Sequence, residues 1–215
     1  MLKIGTERIL HTYGEKCPAV AKIREPLQEC VSLFCGCFER GGQLLVCGNG
    51  GSCADADHIV GELVKAFKLR RPLVAPLVTA LQRQGHQGKL LAENLQGGLP
   101  AVNLGAHSSL MTAVINDLGG EYIYAQQVAA YGREGDILLG ISTSGNSVNV
   151  LHAGLVAKAK GMYTVGLTGT SSGKMEGQFD LILHADSAVT EEIQDQHSTI
   201  YHALCAAVEY ECWGD

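Results

Sequence analysis

The chain has 215 residues, 46% of them hydrophobic and 18% charged, with 16 Lys and Arg against 22 Asp and Glu for a net charge of −6. This balance excludes a disordered or supercharged chain, and argues against direct nucleic-acid binding through a basic face. The 27 glycines and 6% aromatics suit many short strand-to-helix turns, and no three-residue glycine period points to collagen.

In chain order, Met1 to Ile9 carries Lys3, Glu7 and Arg8 and lacks the apolar core of a secretory signal. No stretch approaches the ~20 apolar residues of a membrane span, so a cytoplasmic protein without membrane contact is expected. From about Thr6 to Arg40, Val20, Ile23, Leu27, Cys30, Val31, Phe34 and Phe38 recur at three and four. That stripe predicts a helix able to bury one face, with Pro18 suited to a first turn. Short apolar runs follow at Leu44–Cys47, Leu99–Leu104, Ile137–Ile141, Tyr163–Leu167 and Leu181–Leu183, without alternation, as in strands covered on both faces. Helical patterns lie between or after them at about Ala54–Phe67, Ser109–Asn116, Glu121–Tyr131, Val148–Ala159 and Glu191–Trp213. The alternation predicts an α/β domain with a parallel sheet covered on both sides, one domain over 1–215. Residues 68–98, with Arg70-Arg71-Pro72 and two Gln/Gly-rich stretches, break the alternation and read as an insertion, either a helix-bearing lid or an oligomer contact. The eight cysteines are scattered without Cys-x-x-Cys. They read as reduced, mostly buried thiols, with Cys35 and Cys37 the one pair close enough in sequence to suggest metal or redox chemistry.

In an open parallel sheet, ligands bind beyond the carboxyl ends of the strands. Two turns stand there: Gly48-Asn49-Gly50-Gly51-Ser52 and Ser142-Thr143-Ser144-Gly145-Asn146-Ser147. Both combine backbone N–H groups, hydroxyls and a helix N-terminus, which together receive a phosphate. The second has more hydroxyls than capping one helix requires. Neither is a P-loop, and Cys53 stands where a dinucleotide motif needs its last glycine. A phosphorylated metabolite fits better than a nucleotide. His58 and Glu62 are spaced i, i+4, and Gln194 and His202 lie on one late helix. These four suit a divalent metal or a general acid–base pair. Spacing alone reads equally as an exposed helix pair for His58/Glu62 and a core histidine for His202, and His197 is an additional candidate.

These motifs resemble the sugar isomerase (SIS) domain of phosphoheptose isomerases: Gly48 to Ser52, Ala54-Asp55-Ala56, His58-x-x-x-Glu62, Asn116-Asp117, Gly132 to Asp136, Ser142 to Ser147, Gly173-Lys174-Met175 and Ile193-Gln194 with His202 follow in that family's order. The resemblance implies a three-layer sandwich around a five-stranded parallel sheet, doubly wound, with residues 1–40 an N-terminal helical segment that packs into a homotetramer with active sites shared between subunits. It implies isomerisation of sedoheptulose 7-phosphate to a glycero-manno-heptose 7-phosphate through an enediol. Glu62 and His202 match the acid/base pair. Asn49, Gly50, Gly51, Ser52, Asp117, Ser142, Thr143, Ser144, Ser147 and Gln194 match substrate-binding positions. His58, Glu62, Gln194 and His202 match zinc ligands of some members. Departures are Ala66 where the family often has Arg, with Lys65 and Lys68 nearby, Glu191 where the family has Asp, Cys53, and the 68–98 insertion. A related alternative is a non-catalytic SIS tetramer that binds a phosphosugar or a protein partner such as the replication initiator.

Overall fold

The computed structural model describes residues 2–215. Its centre is a five-stranded sheet of β1 (Leu44–Gly48), β2 (Ala101–Asn103), β3 (Ile137–Ile141), β4 (Tyr163–Thr168) and β5 (Leu181–His184), all parallel, in the order β2-β1-β3-β4-β5. Successive side chains point to opposite faces. Leu44, Val46, Ile137, Leu139 and Ile141 therefore enter one core, and Leu45, Cys47 and Leu138 the other. The first core is covered by α1 (Ile4–Lys16), α2 (Pro18–Lys22), α3 (Arg24–Glu39), α4 (Gly51–Val64) and α10 (Thr190–Trp213). The second is covered by α7 (Ser108–Asp117), α8 (Ile123–Tyr131) and α9 (Val148–Ala159). The expected three-layer α/β sandwich is the fold of this chain. Among the described residues no helix is long and apolar enough to cross a membrane.

Two expectations change in detail, and the 68–98 segment gains its internal structure. The N-terminal stripe is not one helix but three: Cys17, which precedes Pro18, is extended at φ −136°, ψ 108°. A proline ring disfavours helical backbone in the residue before it. The edge strand shrinks from Leu99–Leu104 to Ala101–Asn103. The segment from 68 to 98 holds two helices, α5 (Ala75–Gln82) and α6 (Gly85–Asn94), which pack on each other and bury no side chain of α5 and only Gly88 of α6. Its opening residues do not belong to that exposed hairpin, because the Arg71 side chain is fully buried.

His197 faces the core rather than a site. It is fully buried on α10, its Nε2 lies 3.0 Å from the Thr168 carbonyl, and its Nδ1 has no partner. Burial pushes its pKa down to about 4, against a smaller opposing effect of the Thr168 carbonyl. An unfolded histidine titrates near 6.5. As pH falls below that, the unfolded chain binds a proton that the folded ring refuses, so stability is lost on acidification. Urea unfolding at pH 7.5 and 4.5 should show about 2–3 kcal/mol of this loss in the wild type. His197→Gln should lose less over the same interval, and equal losses would place the acid sensitivity elsewhere.

Candidate active site

The strand order reverses direction between β1 and β3, the position where an open α/β sheet leaves a crevice. The glycine turn follows β1 and the Ser/Thr turn follows β3, so they flank that crevice. Gly50 adopts φ 55°, ψ −120°, backbone open only to glycine at low cost. This geometry turns the chain sharply into α4. The buried Tyr124 hydroxyl donates to the Gly48 carbonyl from the opposite side. The two turns are then joined by reciprocal amides: Asn49 Nδ2 donates to Asn149 Oδ1 at 2.9 Å, and Asn149 Nδ2 donates to Asn49 Oδ1 at 2.8 Å. Sequence reasoning missed both Tyr124 and Asn149, because neither carries a motif.

In the second turn Ser142 and Ser147 place their hydroxyls 2.9 Å apart, and Ser144 Oγ accepts from the Asn146 N–H at 3.2 Å. Gly145, at φ 63°, sits so close to Ser172 that a β-carbon would overlap its carbonyl. The Asn146 side chain also accepts from Lys174 N–H at 3.1 Å, which fixes the loop after β4 against the turn. The backbone N–H groups of Gly50, Gly51, Thr143, Ser144 and Ser147 find no acceptor among the described residues. The result is a half-open cradle of N–H and O–H donors at the start of two helices. Ser52 is buried under it, Thr143 and Ser147 are half-buried, and Asn49 and Ser144 are exposed. Asp117 stands apart at the end of α7, exposed and bonded to Asn116, with no hydrogen bond to either turn.

Along α4 and α10 the chain assembles a second group. His58 Nε2 lies 3.3 Å from Glu62 Oε1, and His202 Nε2 lies 3.4 Å from His58 Nε2. The three ligand atoms all lie within 4.8 Å of one another. His58 Nδ1 is 3.0 Å from the Tyr201 hydroxyl, which fixes the ring so that Nε2 turns toward the other two. Burial, then His58, push the His202 pKa below the ordinary histidine range, with Lys68 acting the same way and Glu62 opposing. This favours the uncharged form of His202. Glu62 Oε2 is shielded from solvent and has no hydrogen-bond partner, with Lys65 Nζ at 3.9 Å its nearest cation. Lys68 instead lies over the Tyr13 ring, 4.7 Å from its centroid.

Two imidazoles and a carboxylate form a donor set suited to zinc, which takes tetrahedral ligands at about 2.0–2.1 Å and so spaces them about 3.3–3.4 Å apart. The observed 3.3 and 3.4 Å separations fit that spacing. The Gln194 amide lies against Gly51, where an added β-carbon would lie 2.3 Å from Nε2. It therefore borders the glycine turn. Cys35 and Cys37 form no site of this kind, because Cys37 is buried and turned toward the Gln43 carbonyl while Cys35 is partly exposed.

The comparisons agree with this geometry. The model of the SIS domain matches residues 12–97 and 91–169. The chain is 40% identical over 195 residues to a phosphoheptose isomerase of Burkholderia pseudomallei, across 91% of this chain and 84% of that one. It is 43% identical over 172 residues to one of Roseiflexus, across 80% and 75%. The solved phosphoheptose isomerase of Neisseria gonorrhoeae shares 31% identity across 94% of this chain and 97% of that chain, with a TM-score of 0.71. The one from Francisella tularensis shares 31% across 89% of each chain, with a TM-score of 0.72. The chain belongs to the SIS domain family and, within it, to the phosphoheptose isomerases.

The anchoring of the glycine turn is open to a direct test. Tyr124→Phe leaves the Gly48 carbonyl buried without its donor, and should cost about 1–2 kcal/mol in urea unfolding. An unchanged midpoint would show that the turn holds its shape without the hydroxyl.

Proposed function

We propose that the protein is an aldose–ketose isomerase that converts sedoheptulose 7-phosphate to a glycero-manno-heptose 7-phosphate. The observation that carries this reading is the coexistence of a donor-rich cradle, one arm of which opens α4, and a His58–Glu62–His202 cluster further along that same helix. The named relatives support it. A binding module needs only the cradle, and a scaffold needs neither, so the retained cluster favours chemistry over the non-catalytic SIS tetramer that binds a phosphosugar or the replication initiator.

On this reading the phosphate sits on the N–H groups and hydroxyls of Ser142, Thr143, Ser144 and Ser147, at the N-terminus of α9. Asn49, Gly50, Gly51, Ser52, Gln194 and Asp117 contribute sugar contacts. Glu62 removes the proton next to the carbonyl, and His202, favoured in its uncharged form, exchanges the proton with oxygen as an enediol forms and collapses. His58, Glu62 and His202 are the residues that would hold zinc, which would polarise the substrate oxygens. Gln194, another zinc-ligand match of the resemblance, contacts the sugar in this arrangement. A homotetramer with shared sites, in the cytoplasm, completes the proposal. The exposed Val74, Leu77, Leu90, Leu91 and Leu95 around the α5–α6 hairpin are consistent with an oligomer contact.

Incubation of the purified protein with sedoheptulose 7-phosphate, with and without zinc, should yield new aldose anomeric signals by NMR. Glu62→Gln should lower turnover by at least about 100-fold while the fold persists by circular dichroism, the scale of a lost acid–base group. Normal turnover in that variant would remove Glu62 from the mechanism. Ser144→Ala should raise KM about three- to tenfold with little change in kcat, because one cradle donor is lost. An unchanged KM would move the phosphate to the glycine turn.

A further inference from the structure

The most heavily bonded polar pair in the molecule lies just behind the cluster. Arg71 and Glu209 are both fully buried, and Arg71 Nε donates to Glu209 Oε1 at 2.6 Å. Nη1 of the same guanidinium donates to the Leu63 carbonyl at 2.6 Å, and Nη2 donates to the Glu62 carbonyl at 2.7 Å. Those carbonyls belong to the last turn of α4, where helical acceptors run out of partners and a cation is favoured. Glu209 also accepts from the N–H groups of Phe67, Lys68 and Leu69 at 2.9, 2.8 and 3.1 Å. Trp213 closes the site, its ring 5.0 Å from the guanidinium carbon.

The pair thus joins the backbone of Glu62 to the helix that carries His202. Glu209 lies seven residues beyond His202 on α10, about two turns further along. Desolvating two charges is costly, and an apolar pair of similar volume often packs as well. What an apolar pair does not provide is a forked donor that grips two successive carbonyls. We infer that Arg71, held by Glu209, is a positioning residue that sets the Glu62 carboxylate against His58 and His202. The inference rests on the isomerase reading for its kinetic consequence, and on the geometry of the cluster for its consequence on metal binding.

The test is Arg71→Lys, whose single ammonium cannot span Glu209 and both carbonyls. With the variant folded well above the assay temperature, kcat should fall about tenfold or more and KM for the sugar phosphate stay within about twofold, because the cradle lies at another part of the crevice. Zinc affinity, read by competition with a chromophoric chelator, should fall about tenfold or more, the usual effect of removing support behind a ligand. A role in stability alone would lower Tm and leave both readouts at the wild-type value, and that result overturns the inference. Should Arg71→Lys fail to fold, Glu209→Gln is measured in its place with the same expectations. Wild-type protein that binds zinc but does not isomerise the sugar would sink the isomerase reading alone, with chelator competition still deciding on Arg71. Wild-type protein that does neither would overturn both.

Discussion

The packing of α4 against α10 is the constraint on which the cluster depends. Ala56, Ile59 and Leu63 from one helix and Ile200, Ala203, Leu204, Ala207 and Val208 from the other are all buried on the same face of the sheet. Small side chains on α10 let the two helices approach closely, and close-packed interiors leave little room to adjust. Once the apolar faces are seated, His58, Glu62 and His202 must project along the seam where the helices meet. The polar site is thus a by-product of apolar packing, stiffened at one end by the Arg71–Glu209 pair. Burial of Tyr201, whose hydroxyl reaches His58, carries the same packing directly into the orientation of an imidazole.

On the proposed reading, binding falls to the two turns and chemistry to the cluster between α4 and α10. On that reading, a chain of net charge −6 does not attract the phosphate by its overall field, so the cradle would rely on local dipoles: free N–H groups at the start of two helices and the hydroxyls of the Ser/Thr turn. The Asn49–Asn149 amide pair links the glycine turn to the start of α9, which the Ser/Thr turn opens. The cations nearest the chemistry, Lys65 and Lys68, lie on the other side, by the cluster.

Much of this was legible in the sequence because buried parallel strands write themselves as apolar runs and their turns as glycine and serine. All five strands, the helices after them, both ligand-facing turns and the His58–Glu62 pair follow from those local patterns. What was not legible is non-local. Arg71 looked like one charge in a basic stretch of an insertion, and only the fold brings Glu209, 138 residues away, against it. Tyr124 and Asn149 likewise act through partners distant in sequence. Gln194 and His202 share a helix, yet the amide borders Gly51 while the imidazole meets His58. Periodicity could not show this, because it reports angle around a helix and not distance along it. Pro18 marked a helix start in the sequence, but the stripe from Val20 to Phe38 ran without interruption across Ile23, where α2 ends and α3 begins.

The assignment of two roles to Glu62, ligand and base, is a conflict only if its carboxylate is treated as one point. Its oxygens are in different surroundings. Oε1 faces His58 Nε2 at 3.3 Å, whereas Oε2 is buried without a hydrogen bond, 3.9 Å from Lys65. A hydrogen bond to a carboxylate oxygen occupies its lone pairs, and Oε2 has none so occupied. On the proposed reading the roles divide between the two oxygens, Oε1 turned to the imidazoles and Oε2 left as acceptor. That division requires the carboxylate plane to be held, because a rotation about the last side-chain bond exchanges the oxygens. Arg71 fixes the backbone from which that side chain starts, and the buried wall of α10 limits where it can turn. The polar pair behind the site and the unpaired oxygen within it are therefore parts of the same arrangement.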